Sequence, residues 1–208
     1  MTTSRDDTIN DYLGRLAERT AAPAGGATAA MNAAQAAALL AMTARYCDGP
    51  VHAAHAEAVG KVIAEADQLR DTCAALMAAD GEAYGSVMAA YRLPKDTGEL
   101  RAARSAAIAG ALVTAAGPPA EVIAAGARLL ELAQVLEPIV SRSIAPDVAA
   151  AAEAIRAAVA TSRTNVEANL SGVTDSAARD QLTRVITGVA VLEAKAGQVI
   201  AAVRARYA

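Results

Sequence analysis

Four stretches of this 208-residue chain set polar side chains or bare backbone where chemistry can be done. In "TAAPAGGATAA", residues 20–30, Pro23, Gly25 and Gly26 stand just before the first turn of a long apolar segment. Free amides and the helix dipole at such a start can hold an anion or a carbonyl-rich ligand. Glycines there also let two helices approach closely, so a helix start and a binding wall both fit. In "YRLPK" Lys95 follows a proline at a helix break, which places its ammonium on an ordered backbone or simply on the surface.

Two further candidates lie in the second half. Asp147, preceded by Pro146, reads as a first-turn or capping aspartate of a helix, or as an acid placed at a site by that helix. In "TNVEANL" Asn165 and Asn169 are four apart and share one helical face. Carboxamides inside an apolar helix are costly unless paired, so these two either bond another helix or read the polar edge of a ligand. His52 and His55 share a face at i, i+3 without a third ligand nearby, and no metal site is expected from them. The chain has no Gly-x-Ser-x-Gly, Walker loop or dinucleotide fingerprint.

The elements that must position these groups are helices. Asp6 or Thr8 can cap a short amphipathic helix carrying Ile9, Tyr12, Leu13 and Leu16. The segment 28–47 has no charge before Arg45 and no polar stripe, which predicts a helix buried on most sides at the centre of a bundle. Residues 52–91 keep helical spacing as one long helix or a pair bent near Gly81 or Gly85. Asp96 or Thr97 caps the next helix, which runs to Gly117, where "GPP" breaks it. Helices follow at about 119–137, 147–170 and 176–204. No β-branched run of period two occurs, so the fold class is all-α: an antiparallel up-and-down bundle of about seven helices in one domain spanning residues 1–208.

Composition narrows the function. Phe and Trp are absent and alanine dominates, so the core is built from small and aliphatic side chains that favour close helix packing. A formal charge of −3, with 19 basic and 22 acidic residues spread along the chain, predicts no attraction to nucleic acid or an anionic membrane. "MTTSRDDTINDYL" has no basic region leading into an apolar run, and the apolar segments are punctuated by charge, so neither a secretory signal nor a membrane span is expected and a cytoplasmic protein is. Cys47 and Cys73 sit among apolar neighbours and read as buried thiols.

Taken in order, the motifs resemble the cyclodeaminase/cyclohydrolase family of folate enzymes, over nearly the whole chain. That family's Ala/Ser-Pro-Gly-Gly-Gly-Ser/Gly turn looks like Ala22-Pro23-Ala24-Gly25-Gly26-Ala27. Its acidic residue with an aromatic four positions on, then Leu-Pro-Lys-x-Thr, is similar to Asp80, Tyr84 and "LPKDT" at 93–97. Its Asn-rich loop ending in Ser-Asp, then Asn-Val-x-x-Asn and a further aspartate, is matched by Asp147, Asn165, Val166, Asn169 and Asp175. Ala24, Ser141 and Pro146 depart from the pattern, standing where a glycine, an asparagine and a serine are expected.

The resemblance implies hydrolysis of 5,10-methenyltetrahydrofolate to 10-formyltetrahydrofolate, with cyclodeaminase chemistry releasing ammonia, or a diverged non-folate or non-enzymatic role, as alternatives. It implies that Asp147 anchors the pterin or moves a proton and that Lys95 gives electrostatic or proton-donating support. Pro23, Gly25, Gly26, Thr28, Ser141, Asn165 and Asn169 would bind the substrate. No metal and no cofactor beyond the folate substrate are implied, and the assembly implied is a homodimer.

Overall fold

The computed structural model describes residues 8–208. Among these residues eight α-helices and one 3-10 turn form the regular structure, and there is no strand, as the sequence predicts. They are α1 (Ile9–Leu16), α2 (Gly25–Tyr46), the 3-10 turn Pro50–His55, α3 (Ala56–Tyr91), α4 (Gly98–Ala115), α5 (Gly117–Leu136), α6 (Ala145–Leu170), α7 (Ser176–Thr187) and α8 (Val189–Ala205). Thr8 caps α1 by accepting the N–H of Asp11; the alternative cap Asp6 lies outside the described residues. Thr97 and Asp175 cap α4 and α7 in the same way.

Two of the helix boundaries are bends rather than reversals. α4 meets α5 at Ala116 and α7 meets α8 at Gly188, both with right-handed helical dihedrals, so the described chain makes six rods. The first bend has a direct cause. Pro118 and Pro119 have no N–H to return to the carbonyls of Thr114 and Ala115 four residues earlier, and the helix gives way there.

Helix α2 is the centre of the bundle, packed against α3, α5 and α6. Ala29, Ala30, Ala33, Ala36, Ala37, Leu40 and Ala44 are wholly buried along it. Side chains this small bring neighbouring backbones close, and Leu129, Leu130, Leu136, Ile155 and Val159 of α5 and α6 fill the remaining space.

Helix α3 is a single run of 36 residues, with no break at Gly81 or Gly85. Gly81 instead admits the turn before α2: a Cβ there would lie 3.1 Å from that of Ala22. At 1.5 Å per residue α3 is about 54 Å long against about 33 Å for α2. Its last eleven residues therefore run past the start of α2, and α4, which buries only Leu112 and Ala115, returns beside them as an arm.

The spacing of charges does not by itself decide whether these helices could cross a membrane. The bent rods Gly98–Leu136 and Ser176–Ala205 contain windows of mean hydropathy 1.4 and 1.5 with at most two charges, long and apolar enough by composition to cross a membrane. Alanine methyls raise mean hydropathy without adding bulky apolar side chains, which is why widely spaced charges did not lower it.

Candidate active site at the first turn of α2

The turn before α2 ends in a cis Ala22–Pro23 bond and a buried Pro23. Ala24 is the N-cap residue, extended at φ −144°, ψ −159°, a conformation open to alanine, so the departure from glycine at this position is accommodated. Alanine offers no capping oxygen. The cap comes from another helix: the carboxyl of Asp80, on α3, accepts the N–H of Ala27 in the first turn of α2.

That arrangement explains Gly26. A Cβ at this position would overlap the carboxyl group of Asp80, so only glycine lets the acid reach the amides of α2. Burial pushes the Asp80 carboxyl above the usual aspartate range, with the Ala27 N–H pulling weakly the other way.

Asp80 lines a cavity of 350 Å³ that also takes in Thr20, Ala24, Gly25, Gly26 and Tyr84 on one side and Ala115, Asn165 and Asn169 on the other. Asn165 and Asn169 share one face of α6, as their spacing predicts. Asn169 donates to the carbonyl of Ala115 at 3.2 Å, one of the two acceptors that the proline pair leaves without a helical donor. Asn165 has no hydrogen-bond partner among the described residues, and its Oδ1 lies 3.9 Å from where a Cβ of Gly25 would stand. Neutral carboxamides, a carboxyl and a phenol thus surround a space that can take a planar, polar-edged ligand.

A model of the formiminotransferase-cyclodeaminase family matches residues 8–187 of the chain. The chain belongs to that family. It is 32% identical to a methenyltetrahydrofolate cyclohydrolase of Methylorubrum extorquens, over 88% of this chain and 89% of that protein. It is 31% identical to a formimidoyltransferase-cyclodeaminase of Gallus gallus and 30% identical to that of Sus scrofa, over 92% and 87% of this chain. The chain spans only 36% and 34% of those two proteins. A solved formiminotetrahydrofolate cyclodeaminase of Thermotoga maritima superposes with a TM-score of 0.87 over 98% of both chains at 21% identity, which shows the shared fold.

Within this formiminotransferase-cyclodeaminase fold, only some of the residues expected at the site come together. Gly25, Gly26, Asn165 and Asn169 line the cavity. Pro23 is buried in the turn just before it, and Thr28 spends its hydroxyl on the carbonyl of Ala24 at 3.1 Å. Asp147 and Ser141 do not reach it within one chain. Asp147 is eighteen residues before Asn165 on α6, about 27 Å along the helix axis. Ser141 is exposed before the start of α6, where its hydroxyl meets that of Ser143 at 3.0 Å. Lys95 is exposed at the tip of the α3–α4 arm, where its carbonyl takes a hydrogen bond from Arg101. It lies beyond Tyr91, eleven residues and about 16 Å past Asp80.

Asp80 and Tyr84, which carry part of the family resemblance, join the expected residues at the cavity. Their sequence signal is local. An acid in the apolar run "AALMAAD", with an aromatic four residues on, sets both on one helix face. A buried-facing acid in such a run needs a partner, and here the partner is the start of α2.

Proposed function

We propose that this chain is a one-carbon folate enzyme that hydrolyses 5,10-methenyltetrahydrofolate to 10-formyltetrahydrofolate. The cavity at the start of α2, with Asp80, Asn165 and Asn169 facing one another in a chain so similar to a methenyltetrahydrofolate cyclohydrolase, carries this reading. Water adds to the cationic amidinium carbon, and collapse expels N5. That carbon is electrophilic already, so the step calls for a positioned water and a proton carrier rather than a cofactor. Asn165, free of internal partners, and the first-turn backbone at Gly25 and Gly26 would hold the pterin or the water, and Tyr84 would lie against a ring.

The second reading, closure of 5-formiminotetrahydrofolate with loss of ammonia, is favoured by the relatives of that name and uses the same groups. Purified protein added to 5,10-methenyltetrahydrofolate is expected to speed the loss of its near-ultraviolet absorbance, and a parallel ammonia assay tests the second reading. Failure of both turnovers refutes the folate assignment.

We also propose a homodimer. Met31, Leu39, Met42 and Tyr46 form a stripe on the open side of α2, with Tyr46 67% exposed. Lys95 and Asp147 can act at a cavity only if a second subunit brings them there. Light scattering on the purified chain distinguishes a dimer from a monomer.

A further inference from the structure

We propose that Pro119 is a positioning residue for the cavity. Lacking an N–H, it reserves the carbonyl of Ala115 for Asn169, and this fixes the Asn169 carboxamide with its oxygen offered to an N–H of the bound pterin. The identity of the ligand rests on the folate reading above, whereas the way Asn169 is held rests on the chain alone.

Pro119 stands four residues after Ala115, where a helical N–H would claim that carbonyl. The chain between them would allow it to, because Ala116 has right-handed helical dihedrals and its own carbonyl accepts the N–H of Ala120 at 3.2 Å. The carbonyl of Ala115 instead accepts Asn169 Nδ2 at 3.2 Å, which ties the end of α4 to the end of α6. Gly172 holds these two ends together one turn further on, since a Cβ there would overlap the side chain of Leu112.

The polarity of Asn169 follows from this contact. A carbonyl oxygen can only accept, so the end of the carboxamide that faces Ala115 must be the NH2 group. Asn169 Oδ1 takes no hydrogen bond among the described residues and is not sealed off by them, while both Ala115 and Asn169 line the cavity. Asn169 therefore shows a ligand a fixed acceptor, and Asn165, which has no partner, can show either end. A fixed acceptor suits the amino group or a ring N–H of a pterin and penalises a carbonyl oxygen in the same place. With a helical N–H on Ala115, the Asn169 amide would be free to turn over and that choice would be lost.

Pro119→Ala and Asn169→Ala, alone and together, test this by urea unfolding and by titration with tetrahydrofolate, which carries the pterin but no carbon to react. In Pro119→Ala the new N–H satisfies Ala115, so Asn169→Ala should lower the unfolding midpoint by less than about half as much as it does in wild type. Pro119→Ala should weaken tetrahydrofolate binding by about threefold to tenfold, and the double variant should bind no more weakly than Asn169→Ala alone. KM for 5,10-methenyltetrahydrofolate should rise in step while kcat stays within about threefold of wild type. Pro118→Ala is the control, because it gives an N–H to Thr114, which is exposed and does not line the cavity; affinity there should stay within about twofold. Additive effects of the two substitutions, or an equal loss of affinity in Pro118→Ala, overturn the proposal. If Pro119→Ala does not fold, Asn169→Asp decides, since it keeps an oxygen but has no NH2 for Ala115: affinity at or above that of wild type overturns the proposal, and a loss matching that of Asn169→Ala supports it. A wild type that binds no tetrahydrofolate removes the folate reading, and the unfolding midpoints still decide whether Pro119 holds Asn169.

Discussion

Replacing Gly26 with alanine drives a methyl group into the space held by the Asp80 carboxyl, whose Oδ1, Cγ and Oδ2 are all in its way. The α2 backbone cannot retreat, since this turn is pinned against α3. The acid must therefore rotate off the Ala27 N–H, and losing a hydrogen bond to a charged group costs about 1.5–3 kcal/mol. Alanine regains up to about 1 kcal/mol over glycine in a helix, so the net loss is about 0.5–2 kcal/mol. For a chain of this length that lowers Tm by roughly 1–8 °C. Gly25→Ala is the matched control, because the single atom near its Cβ is Asn165 Oδ1 at an ordinary 3.9 Å. Thermal melts followed by circular dichroism should show the control at or above wild type and Gly26→Ala below both. Equal melting temperatures for the two variants would refute the account of Gly26 as the residue that admits Asp80.

Asn169→Ala leaves the carbonyl of buried Ala115 without its donor and should cost about 1–3 kcal/mol in a denaturant titration; an unchanged midpoint would show that water replaces the amide at no cost. Asn165→Ala, which breaks no internal bond, should leave that midpoint in place and weaken folate binding by roughly threefold to tenfold, measured by titration. Both thiols are buried, and burial pushes Cys73 up to about 11, so a thiol reagent should label the folded chain at neutral pH far more slowly than the chain in denaturant. Fast labelling of the native protein would contradict that burial. A folded-state carboxyl raised above its unfolded value favours the fold fully below the unfolded pKa, and that contribution is lost as pH rises through the folded pKa. Asp80→Asn, which does not titrate, should therefore gain stability relative to wild type on going from about pH 4 to about pH 7. Glu65 and Asp67, held low by Arg128 and Arg45, act in the opposite sense but equally in both proteins, so a difference independent of pH would count against the raised acid.

Much of the fold was legible in the sequence because helical signals are local. The missing charges of 28–44 already said that α2 is buried, Thr8 and Thr97 stood where caps form, and the four-residue spacing put Asn165 and Asn169 on one face. The bends at Ala116 and Gly188 were less so. A proline pair or a glycine says that a helix is interrupted, while whether the chain then reverses or carries on depends on the dihedrals of a single linking residue.

By itself, then, the sequence determined the class, the helices, the buried central rod and the family motifs. Only the tertiary structure decided which motifs share a cavity. Periodicity relates residues three and four apart on one helix, but the level at which two helices meet depends on their lengths and on where each one starts. α3 outruns α2, so Asp80, about two-thirds of the way along it, lands on the amide of Ala27 while Lys95 is carried past to the tip of the arm. The 26 residues of α6 separate Asp147 from Asn165 by the same logic, since a rigid helix that positions one end of itself at a site removes the other end from it.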